Sequence, residues 1–369
     1  MSKLKFIIIH CSSLTQRWYN YYFYEELVQE FDFEYWDCSK IAYPYFTVKA
    51  PIDSPNVKKI SSLEELIQQL ETLPTHSQIA LDIHRCEQNY KLLKIISTYK
   101  KNIIYINFFS NTINQTRLEK LIEDYTSYKN IRRKFFSFLF KRMFNSTIIS
   151  CENNSPYRIN HPDYETSLLI ANNPPIIPNS KYIVYLDNNF PFHPEIKYRE
   201  PSLDINKIAV EFYASLNLFF DNVEKYYNCP VIIAAHPAAN YTDNPYGNRK
   251  LIKNQTGILI RDSIGVLMHT SNAVSFAYLY NKPVSILYNK GYKQSKKEFE
   301  RLLQCHRVLK FPLINTDNYK ITDIFKEENN KENRDEYINK YLVNPQDKRS
   351  NRIKIIQYIK DIDNRTSKK

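Results

Sequence analysis

Glycine is scarce in this chain, with 4 in 369 residues. Nucleotide folds that wrap phosphates in a glycine-rich loop need several glycines at fixed spacing, and neither G-x-G-x-x-G nor a Walker A run occurs. The six cysteines (Cys11, Cys38, Cys86, Cys151, Cys229 and Cys305) form no CxxC pair. That argues against a zinc site or a disulfide framework and for reduced thiols. The histidines show no H-E-x-x-H or comparable spacing, so neither a metal nor a resident cofactor is expected. Long apolar runs are missing too. The run from Phe6 to Ile9 is too short for a signal peptide, and nothing approaches the length of a membrane span. The expectation is a cytoplasmic protein, at most peripheral to the inner membrane.

What is present is a chain long enough for two domains, 43% hydrophobic and with a net charge of +12. That charge suits an anionic partner: a nucleotide, an acidic glycan, a nucleic acid or a membrane surface. In the first half, strand patterns at Leu4–His10, Phe33–Asp37, Gln78–Ile83, Asn102–Phe109 and Thr147–Cys151 alternate with helical ones. The helical patterns are Trp18–Phe31, a segment after Ser61-Ser62, Asn89–Tyr99 and Leu118–Phe144. Such alternation predicts an α/β fold with a doubly wound parallel sheet. The proline-rich stretch Asn172–Ser180 separates this half from a second series of the same kind. The expected organisation is residues 1–175, residues 176–325 and a charged helical tail over 326–369.

The second series holds the most informative stretch, Val231 to Leu287. Val231–Ala235 is an apolar run of the kind buried on both faces of a parallel sheet. It stops at His236-Pro237, and a residue before proline is held extended, so His236 is expected at the carboxyl end of that strand. Ligands of open α/β sheets bind at that edge. The next strand, Gly265–Met268, ends in His269-Thr270-Ser271-Asn272 ahead of a helical pattern. Thr270, Ser271 or Asn272 is expected to cap that helix, whose first backbone N–H groups favour an anion. Together these residues predict a phosphate site made without glycine.

The ordered set YLDNNFPFHPE, then His-Pro, then Arg249, then Thr256, then HTSNAVSFAYLYNKPV resembles bacterial surface-polysaccharide biosynthesis proteins. These are similar in turn to bacterial sialyltransferases and Kdo transferases. The resemblance covers roughly Tyr182 to Leu287. It implies GT-B architecture, two Rossmann-like domains facing a cleft, and a metal-independent glycosyltransferase of capsule or lipopolysaccharide assembly. Carried over residue by residue, it makes His236, Ser271, Thr270 and Asn272 the donor-phosphate and nucleotide residues. Arg249 would supply a further bidentate phosphate contact. A nucleotide-sugar donor, with a CMP-sugar favoured, and a glycan or lipid-linked glycan acceptor follow. Sialyltransferases carry their acidic motif in the first domain, whereas Asp187 opens the second here.

Sugar transfer leaves negative charge growing on the phosphate, which fixed donors stabilise. Its attacking hydroxyl needs a base, for which a carboxylate is the usual solution. Asp187, Asp82 and, behind them, Asp262 are the candidates, with Asp187 placed ahead and His236 as a proton donor. His193-Pro194-Glu195 reads as a rigid turn, and His269 as a packed strand-end residue. The segment Lys129–Phe144 mixes six basic residues with five phenylalanines. Phe136, Phe140 and Phe144 recur at four-residue spacing, which fits either a helix on an anionic membrane surface or a core helix with a basic outer side. A glycerophosphotransferase or nucleotide-sugar epimerase on the same fold is the alternative. Nucleic acid is disfavoured as a partner, because the 30 tyrosines are spread along the chain rather than grouped.

Overall fold

The computed structural model describes residues 3–44, 51–100, 102–108, 128–237, 239–326 and 331–366. The expected helical residues 118–127 and the last strand residue, Phe109, lie outside them. Seven strands form a first sheet: β1 (Lys5–His10), β2 (Asp32–Asp37), β3 (Val57–Lys59), β4 (Gln78–Asp82), β5 (Asn102–Asn107), β6 (Asn145–Ser150) and β7 (Tyr157–Arg158). Six more form a second: β8 (Ile183–Leu186), β9 (Val231–Ala235), β10 (Leu251–Lys253), β11 (Gly265–Met268), β12 (Val284–Tyr288) and β13 (Leu313–Asn315). The orders are β3-β2-β1-β4-β5-β6-β7 and β10-β9-β8-β11-β12-β13, with parallel pairing throughout. In each sheet the first strand is central, the next two lie to one side, and the fourth starts the other side. That reversal opens a crevice at the carboxyl ends of β1 and β4, and another at those of β8 and β11.

The central strands are apolar on both faces, as parallel strands under helices must be. Phe6 and Ile8 pack with Leu27, Phe33 and Tyr35 on one side of the first sheet. Ile7 and Ile9 pack with Leu66, Leu92 and Ile96 on the other. The helix Leu63–Glu71 begins at Ser62, whose hydroxyl accepts from the Glu65 N–H at 3.1 Å. The Glu65 carboxylate in turn reaches back past the cap and accepts from the Ser61 N–H at 2.8 Å. The expected helix over 18–31 is instead two, Gln16–Tyr22 and Tyr24–Glu30, broken at Phe23 by a left-handed φ of 54°.

The compact units divide differently from the expected domains. Among the described residues, one comprises those up to 162 together with those from 343 onward, and the other comprises those from 163 to 342. The charged tail is therefore split. Its helix Asn351–Thr366 places Ile355 and Ile359 in the same core cluster as Leu27 and Ile104. Two apolar side chains one helical turn apart need a core, and the first unit supplies it. The Asn351 side chain fixes the junction through both backbone groups of Asn160: its Oδ1 accepts from the Asn160 N–H at 2.7 Å and its Nδ2 donates to the Asn160 carbonyl at 2.8 Å. The earlier part of the tail belongs to the second unit, where Tyr337 stacks on Tyr278 at 3.9 Å.

The helix Tyr128–Met143 answers to the second of its two expected readings, a core helix with a basic outer side. Phe140 and the following Phe144 are buried in the core cluster with Tyr105 and Ile96, and Phe136 meets Tyr90. The stripe suited to a membrane surface is thus the core-facing side. No helix among the described residues is long and apolar enough to cross a membrane.

If the final helix is part of the first core, Ile359→Ala should cost about 2–5 kcal/mol. Urea unfolding followed by circular dichroism would read this as an earlier transition. A loss under about 0.5 kcal/mol, typical of surface sites, would place the helix outside the core.

Candidate functional site

At the carboxyl edge of the second sheet, β8 runs between β9 and β11 and ends at Asp187. Its carboxylate is buried and takes four hydrogen bonds. Oδ1 accepts from the Asn189 N–H at 2.7 Å and the Tyr246 hydroxyl at 2.9 Å. Oδ2 accepts from the His236 N–H at 3.0 Å and the Tyr241 hydroxyl at 2.9 Å. Burial, reinforced by the Asp187 charge, pushes both tyrosines far above their ordinary pKa, so they remain donors. A carboxylate has about four acceptor positions, and all four are filled here. Asp187 has the geometry of a positioning group, not of the general base expected for it.

His236 is gripped by its backbone, with its half-buried ring leaving the strand end. The ring lies edge-on to His193, with centroids 5.4 Å apart. Burial lowers its pKa, the Asp187 charge partly offsets this, and His193 lowers it further. At neutral pH it is a neutral imidazole that can donate one N–H. His193 also lines an open depression of about 740 Å³ with Phe192, Lys197, Leu203 and Asp204. From sequence, His193 is expected to be only a turn residue. The signal for its place beside His236 is that two consecutive strands, β8 and β9, are each followed by a His-Pro dipeptide.

On the other side of β8, β11 leads into His269, Thr270, Ser271 and Asn272. His269 is fully buried, stacked on Tyr292 at 4.6 Å, with Nδ1 3.0 Å from the Tyr185 hydroxyl. Burial pushes its pKa down to about 3. It is the packed residue expected. The capping expectation is corrected: the helix starts at Val274, with Ala273 at the cap position and no side-chain cap. Ser271 Oγ accepts from the Ala273 N–H at 3.2 Å, and the carbonyls of Ser271 and Asn272 accept from Val274 and Ser275. A turn thus intervenes and satisfies the N–H groups that were to cradle an anion. Thr270 lies beside the Tyr292 hydroxyl, which also receives Asn188 Nδ2 at 3.5 Å. Asn272 is exposed. His236 and Thr270 therefore flank one strand at the same edge, two strand spacings or roughly 10 Å apart.

Arg249 is not with them. Its guanidinium pairs with Glu224 at 2.7 and 3.1 Å and with Asp221 at 2.5 Å. Glu224 also accepts from the N–H of Val231, the first residue of β9, at 2.7 Å. Arg249 thus sits at the amino end of the strand whose carboxyl end carries His236, roughly 16 Å away at 3.3 Å per residue. It fastens the long helix Ile205–Tyr227 to the sheet instead of meeting a phosphate.

The first sheet has its own pair at the corresponding crevice, where His10 and Asp82 are register partners. The Tyr35 hydroxyl donates to the Ser12 carbonyl at 2.7 Å, so His10 Nδ1 donates to Tyr35, at 2.6 Å, and Nε2 is the acceptor. Burial, with His84 nearby, pushes His10 down to about 3. Asp82 Oδ2 accepts from the Tyr22 hydroxyl at 2.6 Å. Burial raises Asp82 to about 6, with the Tyr22 bond pulling partly back. Asp82 is partly exposed, and no described residue bonds its other oxygen. No group of three or more potential metal ligands occurs among the described residues.

Arg249→Ala should cost about 3–5 kcal/mol, because it strands Glu224 without its cation, while leaving nucleotide affinity within about twofold. Chemical denaturation and nucleotide titration on one variant check both. A tenfold loss of affinity with intact stability would return Arg249 to the site.

No family model and no curated protein matches the chain. Among solved structures, a variant of the wall teichoic acid polymerase TagF is 14% identical over 99% of this chain and 89% of that one, with a TM-score of 0.52. The spinosyn forosaminyltransferase SpnP is 10% identical over 98% and 100%, with a TM-score of 0.45. A UDP-N-acetylglucosamine 2-epimerase from Rickettsia bellii is 12% identical over 77% and 78%, with a TM-score of 0.41. The likeness to TagF is one of fold. It agrees with the sheet orders: the chain is an α/β protein of two Rossmann-like domains, consistent with the GT-B class.

Proposed function

We propose that the protein is a glycosyltransferase, moving a sugar from a nucleotide donor to a hydroxyl of a surface glycan. The observation that carries this reading is the contrast between the two crevices. The second sheet offers neutral donors, the His236 ring and the hydroxyls of Thr270 and Ser271, and its one central carboxylate is already saturated. That edge suits the phosphates of a donor. The first sheet offers Asp82, a carboxylate with an uncommitted oxygen, and suits an acceptor hydroxyl. As the donor bond breaks, charge grows on the leaving phosphate, and N–H and O–H donors fixed beside it stabilise that charge without reorganisation. On the first unit, the open oxygen of Asp82 has the capacity to take a proton from a bound acceptor hydroxyl. Tyr22 and Asp187 act as positioning residues, for Asp82 and for the His236 loop.

The resemblance of the ordered motifs to sialyltransferases and Kdo transferases supports an acidic sugar, carried on CMP, for capsule or lipopolysaccharide. The fold likeness to a wall teichoic acid polymerase supports a second reading, a glycerophosphotransferase on the same edge.

A thermal-shift series with CMP, CDP, UDP and GDP separates these, since a ligand that binds only the folded chain raises its melting temperature. Stabilisation by CMP alone is the expected result. CDP would move the reading to phosphoglycerol transfer, UDP or GDP would change the donor, and no response would remove the nucleotide altogether.

Turnover should fall as pH drops through about 6, because protonated Asp82 cannot accept a proton. The stability sign is opposite. Asp82 holds its proton more tightly folded than unfolded, so its contribution is present below the ordinary 3.8 and is lost as pH rises through about 6. Asp82→Asn is thus expected to lose about 100-fold or more in turnover with no loss of melting temperature at pH above 7. Near-normal turnover in that variant would remove Asp82 from the mechanism.

A further inference from the structure

The helix Tyr128–Met143 has a second apolar face. Ile131, Phe135 and Phe138, at positions i, i+4 and i+7, are 50, 55 and 54% exposed. They project from the side opposite Phe140, which is buried at 1%. Of the large apolar residues that the first unit exposes among the described residues, these three are the ones grouped on a single helix face. Arg142 lies within the stripe, with its guanidinium 5.7 Å from the centre of the Phe138 ring. Lys134 and Lys141 border it, and both are exposed. No ion pair to Lys141 or Arg142 occurs among the described residues. No acidic residue occurs between Asp124 and Glu152, while six basic ones do.

From this we infer that the Ile131–Phe135–Phe138 face is the surface by which the protein docks on an anionic lipid bilayer. The apolar side chains enter the boundary between headgroups and acyl chains, and Lys134, Lys141 and Arg142 meet the lipid phosphates. Charge decides the occupant. A second copy meeting this face across a two-fold axis would set Lys141 and Arg142 against themselves. An anionic bilayer satisfies stripe and border together, and exposed apolar area of this kind marks an interaction surface. The assignment stands without the transferase reading.

The test is co-sedimentation of the full chain with vesicles of phosphatidylcholine, alone or with about 30% phosphatidylglycerol, at low and high salt. Binding to the anionic vesicles that salt weakens is expected. It should fall at least about tenfold in Phe135→Ser/Phe138→Ser and in Lys141→Glu/Arg142→Glu. Circular-dichroism melts report whether each variant is folded, and the charge variant stands alone if the serine variant is not. Equal binding to both vesicle types overturns the assignment, as does full retention by a folded serine variant. So does a wild-type dimer, seen by analytical ultracentrifugation, that the serine variant abolishes while neither binds vesicles. Nucleotide thermal shifts on the same proteins should be unchanged, so loss of the lipid contact and loss of the donor reading register separately.

Discussion

A carboxylate removed from water must have its lone pairs filled, and Asp187 meets that demand with groups from separate stretches of chain. Asn189 comes from its own loop, His236 from the end of the neighbouring strand, and Tyr241 and Tyr246 from the loop beyond. An unfilled position on a buried charge costs several kcal/mol, so the four donors are held as a set. His236 is gripped by its main chain, which fixes where the imidazole emerges while leaving the ring outside the cage. The tyrosine rings around the carboxylate extend the same demand into packing: Tyr185 and Tyr213 both lie against Tyr246.

Dryness sets the protonation states at both crevices. Burial drives His10 and His269 to about 3 and lowers His236, so these imidazoles are hydrogen-bonding groups and not cations. The same physics acts in reverse on Asp82, pushing a carboxyl toward neutrality. Its single strong partner, Tyr22, is itself fully buried and stacked on Trp18 at 5.6 Å. The two acids that end central strands thus differ by surroundings alone. One has every acceptor position filled, and the other is left with capacity to take a proton.

Much of the architecture was legible in local pattern. Apolar runs such as Phe6–Ile9 and Val231–Ala235 show their strands because a parallel strand is buried on both faces. Ser62 and Glu65 show a helix start because capping is a matter of four consecutive residues. What stayed hidden depends on partners distant in sequence. The hydroxyls that saturate Asp187 lie 54 and 59 residues further on. Glu224, which claims Arg249, lies 25 residues earlier, on a helix whose docking no local rule predicts. The helix after Asn272 begins later than its hydroxyl-rich approach suggests, because Ser271 bonds a turn and not the first helical N–H. On the helix Tyr128–Met143, apolar residues fall on opposite sides, so spacing alone could not say which stripe faces inward.

The return of the chain to its first unit bears on how the protein is made. The core around Leu27 and Ile104 stays incomplete until Ile355 and Ile359 arrive. By then residues 163–342 have all been synthesised, and they hold the whole second sheet. On a ribosome the inner unit therefore has every strand it needs while the outer one still waits for its closing helix. A helix translated after the inner unit is the one that completes the part begun before it.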